Sequence, residues 1–223
     1  MFFPLLSDVP AHMAAGRVRL PLREMVRRWA DRLIAAALLL ALSPLMLACF
    51  FLIRRDGGPA TFGHYRVGAD GRLFRCLKFR TMCPDAERAL RQILERDPVL
   101  REEWQRNFKL ANDPRVTAVG RWLRRLSLDE LPQLVNVLRG EMALVGPRPV
   151  PLPELRLYGP ARWHYLSVLP GMTGLWQVSG RNRVSYERRV ELDEHYVRNR
   201  SLRLDGYILV KTVLVVLTGD GAS

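Results

Sequence analysis

The chain has 223 residues, a formal net charge of +13 and 48% hydrophobic residues, and three of its 35 basic residues are lysines. This length is enough for one domain with a sizeable core, and the apolar fraction excludes a disordered basic tail. So positive a chain favours polyanions, among them nucleic acid, anionic lipid and phosphorylated substrates. The cysteines Cys49, Cys76 and Cys83 form no CxxC pair, and their odd number argues against a disulfide framework.

The first predicted elements are a basic lead and an apolar segment. Residues 1–22 carry three prolines without periodicity, which predicts a poorly ordered lead-in, and residues 23–32 predict a basic helix. The next 21 residues, 33–53, contain no charged residue. As a helix they would reach ~31 Å, about the thickness of a bilayer core. The default interpretation is a transmembrane helix.

Ser43-Pro44, at the centre of this apolar segment, supports a second interpretation. Proline removes the hydrogen bond to the Leu40 carbonyl, and arginines flank both ends, so the positive-inside rule cannot orient the segment. A helix that turns back at Ser-Pro would place both ends on the cytoplasmic side. A kinked spanning helix fits the same residues, because proline is tolerated in such helices. These features alone leave both interpretations open.

A β-hairpin and a charged helical segment are predicted next. Residues 61–67 and 72–82 flank Gly68-Ala69-Asp70-Gly71, whose Asp-Gly pair is typical of a hairpin turn. Residues 85–110 are highly charged and helical in composition, and Asp97-Pro98 predicts a break in that helix.

Two later helices are predicted to carry an apolar face. Residues 116–126 place apolar side chains at helical spacing between arginines, which predicts an amphipathic basic helix on a core or in the lipid interface. Residues 207–217 are apolar but short and contain Lys211. We therefore expect a core or interfacial helix there and not a second span.

The strongest chemical candidate is a pair of carboxylates, because the sequence contains no GxxxxGK[ST], GxGxxG, HExxH or GxSxG motif. Asp129 and Glu130 lie between an arginine pair and an apolar helical stretch. Ser127-x-x-Glu130 fits a capping box, which explains Glu130 but not Asp129. A carboxylate near a helix start stays ionised, and beside arginines it can coordinate Mg²⁺ or attack phosphorus.

Further candidates follow the carboxylate pair along the chain. Arg148 lies between two prolines, which present its guanidinium from a stiff frame, although an ordinary Pro-rich loop explains the same residues. Glycines before Arg181 allow close backbone approach. Asp193 and Asp205 follow, and Asp193 is able to pair with Arg189 one helical turn earlier.

In their order along the chain, these motifs resemble the bacterial sugar transferases, the monotopic phosphoglycosyl transferases that act on polyprenyl phosphate. The matching strings are Lys78–Met82, Asp113–Thr117, Ser127–Gln133, Leu144–Pro149, Pro170–Gly174, Ser179–Asn182 and Leu192–Val197. Each string is modest alone, whereas their co-occurrence in this order is specific. The resemblance covers most of the chain.

The resemblance implies a catalytic dyad at Asp129 and Glu130, in which Asp129 attacks the β-phosphate of a UDP-sugar and UMP is released. A polyprenyl phosphate, expected to be undecaprenyl phosphate in bacteria, then takes the phosphosugar. Mg²⁺ on Asp129 and Glu130 neutralises the diphosphate. The division of roles between Glu130 and Asp205 is left open. The expected substrate or phosphate contacts are Lys78, Arg124, Arg148, Arg181 and Asp205.

The resemblance also implies a mixed α/β chain that is mostly α. After the lead-in, residues 23–55 would form a basic helix and a re-entrant membrane helix broken at Ser43-Pro44. Residues 56–223 would form a cytoplasmic catalytic domain with interfacial amphipathic helices and a small β-hairpin, on the bacterial inner membrane.

The partners implied by the resemblance are a UDP-sugar, undecaprenyl phosphate and anionic lipid, and no nucleic acid; a homo-oligomer is left open. The sugar is expected to be glucose or galactose, for exopolysaccharide or O-antigen synthesis. Two other classes of function stay as alternatives. One is a membrane-tethered basic binding module without catalysis, and the other is a single-pass structural membrane protein.

Overall fold

A computed structural model of the chain describes residues 21–107, 110, 112–180 and 184–218. Helices dominate these residues, and two small sheets of two strands each complete the fold. The predicted mixed, mostly helical class is confirmed for this part of the chain. The predicted lead-in lies outside the described residues apart from Pro21 and Leu22.

The described chain begins with one long helix, α1 (Leu22–Arg54). Pro44 lies inside it, and the Ser43 hydroxyl donates a hydrogen bond of 2.8 Å to the Leu40 carbonyl. That carbonyl is the one that Pro44, which has no N–H, leaves without a donor. The helix therefore continues through the residues at which a break was predicted, and Ser43-Pro44 does not divide it into two helices. The re-entrant path stays a prediction.

Of the helices in the described ranges, α1 alone is long and apolar enough to cross a bilayer. Much of its apolar surface is exposed: the exposed fraction is 68% for Leu33, 79% for Leu40 and 65% for Phe51. A different stripe of α1, which includes Ala35 and Cys49, is buried against the rest of the protein. The helix thus has one face on the protein and another face without a protein cover.

The predicted hairpin is confirmed as the antiparallel pair β1 (Thr61–Val67) and β2 (Leu73–Phe79). Its turn holds Asp70 at φ 56° and Gly71 at φ 74°. Both values lie in the left-handed region, which Asp tolerates and Gly adopts freely. The Asp-Gly signal in the sequence therefore identified the turn correctly.

The remaining elements follow in short succession. They are α2 (Ala86–Arg96), α3 (Pro98–Asn107), α4 (Ala118–Arg125), α5 (Gln133–Arg139), β3 (Ala143–Val145), α6 (Leu152–Leu155), α7 (Arg162–Leu166), β4 (Gly171–Thr173), α8 (Leu175–Val178), α9 (Tyr186–Asn199) and α10 (Leu202–Thr218). The predicted break at Asp97-Pro98 is confirmed between α2 and α3. The parallel pairing of β3 with β4 was not predicted.

The core places α1 against the rest of the domain along both of its halves. Near its N-terminal half, Ala35 is buried with Leu134 of α5 and Tyr196 of α9. Near its C-terminal end, Ile53 is buried with Leu123 of α4. This packing brings the apolar helix next to the segment that carries the carboxylate pair.

The helices predicted for residues 116–126 and 207–217 are α4 and α10, and each has a packed side together with exposed apolar residues, which in α4 lie between exposed arginines. In α4, Leu123 is fully buried, whereas Trp122 is 44% exposed. In α10, Ile208 is fully buried, whereas Val210 and Val213 are 64% and 58% exposed. These exposed faces are suited to a lipid interface.

Candidate active site

The candidate site lies at the end of β2, where Lys78 and Thr81 contact two different segments of the chain. The ammonium of Lys78 lies 2.6 Å from Glu130 Oε1 in an ion pair. The hydroxyl of Thr81, just beyond the strand, accepts a hydrogen bond of 3.0 Å from Arg124 Nε on α4. The hairpin therefore brings two of the predicted basic residues to the carboxylate segment.

The residue between them in this motif, Arg80, fastens the C-terminal end of α1. Its buried guanidinium binds both carboxylate oxygens of Asp56 and donates to the main-chain carbonyls of Ile53, Pro59 and Met82. These five hydrogen bonds match the five N–H donors of a guanidinium. Arg80 belongs to one of the strings that carry the family resemblance, but no role was predicted for it from the sequence.

A glycine allows α4 to approach the end of β2 closely. A Cβ atom on Gly120 would lie 2.0 Å from the carbonyl oxygen of Thr81, which is too close for any side chain. The helix start is fixed by Thr117, whose hydroxyl accepts a hydrogen bond of 2.9 Å from the Gly120 amide. This close approach places Arg124 within reach of Thr81.

The predicted dyad lies in a single 3₁₀ turn, Leu128–Glu130. The turn is entered through Ser127, which has φ 53° and ψ 21°, a left-handed conformation that costs about 1–3 kcal/mol for a residue with a Cβ. The Ser127 side chain makes no capping hydrogen bond, and α5 begins only at Gln133. The capping-box explanation of Glu130 is therefore wrong, because Ser127 does not have the extended backbone of a capping residue.

Burial is the main influence on the acidity of Asp129. It raises the pKa of this carboxyl from 3.8 to about 6; the negative charge of Glu130 raises it as well, and the cations Lys78 and Arg124 act in the opposite direction. Asp129 is therefore a carboxylate that is poorly solvated and close to two cations. Such a group is a better nucleophile or base than a fully hydrated one.

The dyad can also be tested as a magnesium site. Mg²⁺ in phosphate-handling enzymes is usually bound by one or two carboxylates together with substrate phosphates and water. Adjacent carboxylates at Asp129 and Glu130 fit that donor set. In the described ranges, no cluster of three or more His, Cys, Asp or Glu side chains forms a cage for a metal ion.

Arg148, between its two prolines, lies against an aromatic ring. It follows β3, and its guanidinium carbon lies 5.3 Å from the ring centre of the buried Trp176. The guanidinium carbon of Arg189 lies 4.2 Å from the same ring centre. Cation–π contacts of this kind fix the plane of an arginine without using its hydrogen-bond donors on carboxylates. No pattern in the sequence predicted that Trp176 would contact both of these arginines.

Asp193 is buried and lies close to both of these arginines. Its Oδ2 accepts a hydrogen bond of 2.8 Å from the hydroxyl of Tyr158. Burial raises the pKa of Asp193 to about 7, against the lowering effects of Tyr158 and the Arg148 main chain. Arg189, the partner suggested by sequence spacing, also lowers this pKa while its guanidinium stacks on Trp176.

Asp205 belongs to a second charged cluster, which fastens the N-terminal part of α1. It forms an ion pair with Arg27, and its Oδ1 lies 2.8 Å from the hydroxyl of Tyr196. Arg27 also donates to that hydroxyl, over 2.5 Å. These contacts join α1, α9 and α10, and they do not include the dyad. A phosphate-binding role for Asp205 stays a prediction, as does that of Arg181, which lies outside the described residues.

An apolar groove of about 270 Å³ opens beside the dyad turn. Leu38 and Leu42 of α1 form one wall, and residues of α10 that include Leu209 form another. Glu130 is the one charged side chain among the described residues that line it. The groove was not predicted, because its walls come from helices at opposite ends of the described chain.

Comparison with known proteins places these features in a family context. The family model described as bacterial sugar transferase matches residues 22–219. An undecaprenyl-phosphate galactose phosphotransferase of Salmonella typhimurium is 52% identical over 197 residues, which are 88% of this chain and 41% of that protein. The exopolysaccharide production protein ExoY of Sinorhizobium fredii is 50% identical over 208 residues, 93% of this chain and 92% of that protein.

A more distant relative differs in the sugar that it is named for. The UDP-N-acetylgalactosamine-undecaprenyl-phosphate N-acetylgalactosaminephosphotransferase of Aeromonas hydrophila is 37% identical over 209 residues, 91% of this chain and 46% of that protein. The chain thus spans under half the length of two of these relatives and nearly the full length of ExoY.

Proposed function

The chain belongs to the bacterial sugar transferase family of enzymes, and on this premise we propose that it transfers a sugar 1-phosphate from a UDP-sugar to undecaprenyl phosphate. The reaction would release UMP and leave a lipid-linked diphosphate sugar for exopolysaccharide or O-antigen synthesis. Of the two sugars expected, we favour galactose, because relatives 52% and 53% identical are named for galactose transfer. Membership of an enzyme family supports this proposal over the two non-catalytic alternatives.

One observation carries this proposal: the carboxylate dyad adjoins the apolar groove. Glu130 contacts Lys78 and also lines the groove between α1 and α10. A reaction between a nucleotide sugar and a lipid phosphate needs a charged site for phosphates and an apolar path for the lipid. We assign the groove to the prenyl chain next to the reacting phosphate, where burial of each CH₂ contributes about 0.8 kcal/mol.

In the proposed first step, a carboxylate oxygen of Asp129 attacks the β-phosphorus of the UDP-sugar. A new O–P bond forms, the bond from that phosphorus to the bridging oxygen breaks, and UMP leaves with its electron pair. In the second step, a phosphate oxygen of undecaprenyl phosphate attacks the same phosphorus. The Asp129–phosphorus bond breaks, which regenerates the carboxylate.

The cations of the site support both steps. Lys78 holds Glu130 and lowers the pKa of Asp129, so it favours the ionised nucleophile. Arg124, fixed by Thr81, and Arg148, stacked on Trp176, are free to meet phosphate oxygens with the remaining guanidinium donors. Mg²⁺, when bound by Asp129 and Glu130, would neutralise the diphosphate charge.

We further propose that α1 is re-entrant and that the domain faces the cytoplasm. Both ends of the helix contact the same domain, through Asp205 near Arg27 and through Arg80 near Ile53. A helix that crossed the bilayer would have its two ends on opposite sides, about 30 Å of hydrocarbon apart. The exposed apolar faces of α1 and α10 would then contact lipid, and the flanking arginines would contact anionic headgroups.

The activity is tested by UMP release across a panel of UDP-sugars, with the full chain in lipid nanodiscs. Without lipid acceptor, we expect a burst of UMP that approaches one equivalent per chain, because the phosphosugar stays on Asp129. With undecaprenyl phosphate, we expect steady turnover, and UDP-galactose should be the preferred donor. UMP release that requires the lipid acceptor from the first turnover would contradict the covalent intermediate.

The topology is tested with cysteines introduced one at a time at Met25, Arg55 and Asp70, in a variant that carries Cys83→Ser and keeps the buried Cys49 and Cys76. We expect a membrane-impermeant thiol reagent to label all three positions from the cytoplasmic side of the membrane. The cysteine at Asp70 is the matched control, since it lies in the exposed hairpin turn of the domain. Labelling of Met25 and Arg55 from opposite sides would show a spanning helix.

A further inference from the structure

The first strand of the hairpin, β1, presents an aromatic pair beside the lysine that contacts the dyad. Phe62 lies directly opposite Lys78 in the antiparallel register, and His64 lies opposite Cys76. Directly opposed residues project from the same face, with Cβ atoms about 4.5–5.5 Å apart. Phe62 and His64 are therefore on the face of the sheet from which Lys78 reaches Glu130.

The two rings form one ordered unit. Their centres are 5.1 Å apart and their planes meet at 85°, an edge-to-face contact. Phe62 is half-buried and His64 is exposed, so the histidine ring remains accessible from solvent.

The charge around this pair suits a nucleotide. Partial burial lowers the pKa of His64, and the cations Arg66 and Lys78 lower it further, which favours the neutral form of the ring. A neutral ring can stack on a base, while the neighbouring cations attract the phosphates attached to it. The platform and the phosphate contacts thus lie on one continuous surface.

We infer that Phe62 and His64 form the subsite that receives the uracil ring of the nucleotide donor. This inference rests on the proposed function, because it takes the phosphates to lie at Lys78 and the dyad. The base then lies over β1, across from Lys78, and the sugar lies on the other side of the diphosphate. The aromatic pair acts in substrate binding and takes no part in the phosphoryl transfer.

The test measures binding of UDP and of inorganic pyrophosphate to the full chain in nanodiscs. We expect His64→Ala to weaken UDP binding roughly tenfold, the usual scale for loss of one base-stacking side chain, and to leave pyrophosphate binding within about twofold. His64→Phe should restore the affinity for UDP. In turnover, His64→Ala should raise KM for the UDP-sugar and leave kcat nearly unchanged.

Tyr65→Ala is the matched control. Tyr65 is the next residue of the same strand and is 64% exposed, but its side chain projects from the opposite face. It should change neither binding constant. Phe62→Ala should weaken UDP binding at least as much as His64→Ala; if that variant does not fold, the exposed His64 decides the question.

The outcomes separate this inference from the proposed function. UDP affinity within twofold of the parent in His64→Ala and in every folded Phe62 variant would overturn the nucleobase subsite alone. Equal losses for UDP and pyrophosphate would also overturn it, since they would indicate a phosphate contact. A parent chain that does not bind UDP would overturn the proposed function and this inference together.

Discussion

The polar and the apolar side of the candidate site are held in place by different means. On the polar side, a strained turn carries Asp129 and Glu130, and Lys78 fixes the second of these by an ion pair. On the apolar side, α1 and α10 bound a groove without directional contacts to a ligand. In the proposed function, phosphoryl chemistry and recognition of the lipid would therefore depend on separate side chains, and substitutions should separate the two.

Among substitutions on the polar side, Asp129→Asn is expected to cause the largest loss of activity. Because this substitution removes the proposed nucleophile, both the UMP burst and turnover should fall by on the order of 10³-fold or more. The fold should persist, because burial of the Asp129 charge destabilises the folded protein and asparagine carries no charge. UMP release and thermal unfolding measure the two effects.

Asp70→Asn is the matched control for this substitution. Asp70 lies exposed in the hairpin turn at φ 56°, a conformation that asparagine also tolerates. Activity and melting temperature should stay at the parent's values. A UMP burst retained by Asp129→Asn would contradict the assignment of the nucleophile.

Lys78→Met should lower kcat/KM by roughly 100-fold, the scale for loss of one charge-stabilising donor in an active site. Glu130 would lose its cation, and the pKa of Asp129 would rise because Lys78 no longer lowers it. The activity profile should therefore move to higher pH, a shift that a merely structural defect would not produce. Lys78→Arg, which keeps the charge, should retain more activity; a loss below threefold in Lys78→Met would count against the role.

The apolar side is tested by Leu209→Trp, whose larger side chain should fill part of the groove. KM for undecaprenyl phosphate should rise about tenfold, on the scale of steric discrimination in an apolar pocket, and the UMP burst should be unchanged. Val210→Trp is the matched control, because the neighbouring Val210 is 64% exposed and does not line the groove. Equal effects of the two variants would contradict the assignment of the groove to the lipid.

The mildest test varies only pH. Asp129 must be ionised to attack, and its pKa is about 6, so kcat/KM should be half-maximal near pH 6 and lower in more acidic buffer. The contribution of Asp129 to the free energy of unfolding changes with pH in the opposite direction. Between the unfolded and the folded pKa the folded state binds more protons, so the free energy of unfolding contributed by this group falls as pH rises. This slope should be absent in Asp129→Asn; a flat activity profile from pH 5 to 7 would contradict the raised pKa.

The sequence was sufficient where signals are local. The uncharged run predicted α1, Asp70-Gly71 predicted the hairpin turn, and Asp97-Pro98 predicted the division of the charged helical segment. Lys78 and Arg124 were matched by resemblance, and the structure brings both to the dyad segment. Such features depend on periodicity or on short motifs that one stretch of chain contains.

The features that the sequence did not predict depend on packing between distant segments. The groove needs Leu42 of α1 beside Leu209 of α10, and Asp205 meets Arg27 only when those same helices come together. The left-handed Ser127 was missed for another reason: its spacing to Glu130 also satisfies a capping box. A local pattern cannot distinguish two backbones that use the same residues.

The hydrogen bond from Ser43 to the Leu40 carbonyl has a value that depends on the solvent around it. In water or a wet micelle, a solvent molecule could replace the serine hydroxyl at little cost. In hydrocarbon no substitute exists, and a bare carbonyl there costs several kcal/mol. Ser43→Ala would consequently change the stability very little in a water-permeable detergent and lower it markedly in a bilayer. In a bilayer, Ser43 would thus supply the donor that Pro44 lacks, and the two residues would act as a pair whose effect depends on the surrounding lipid.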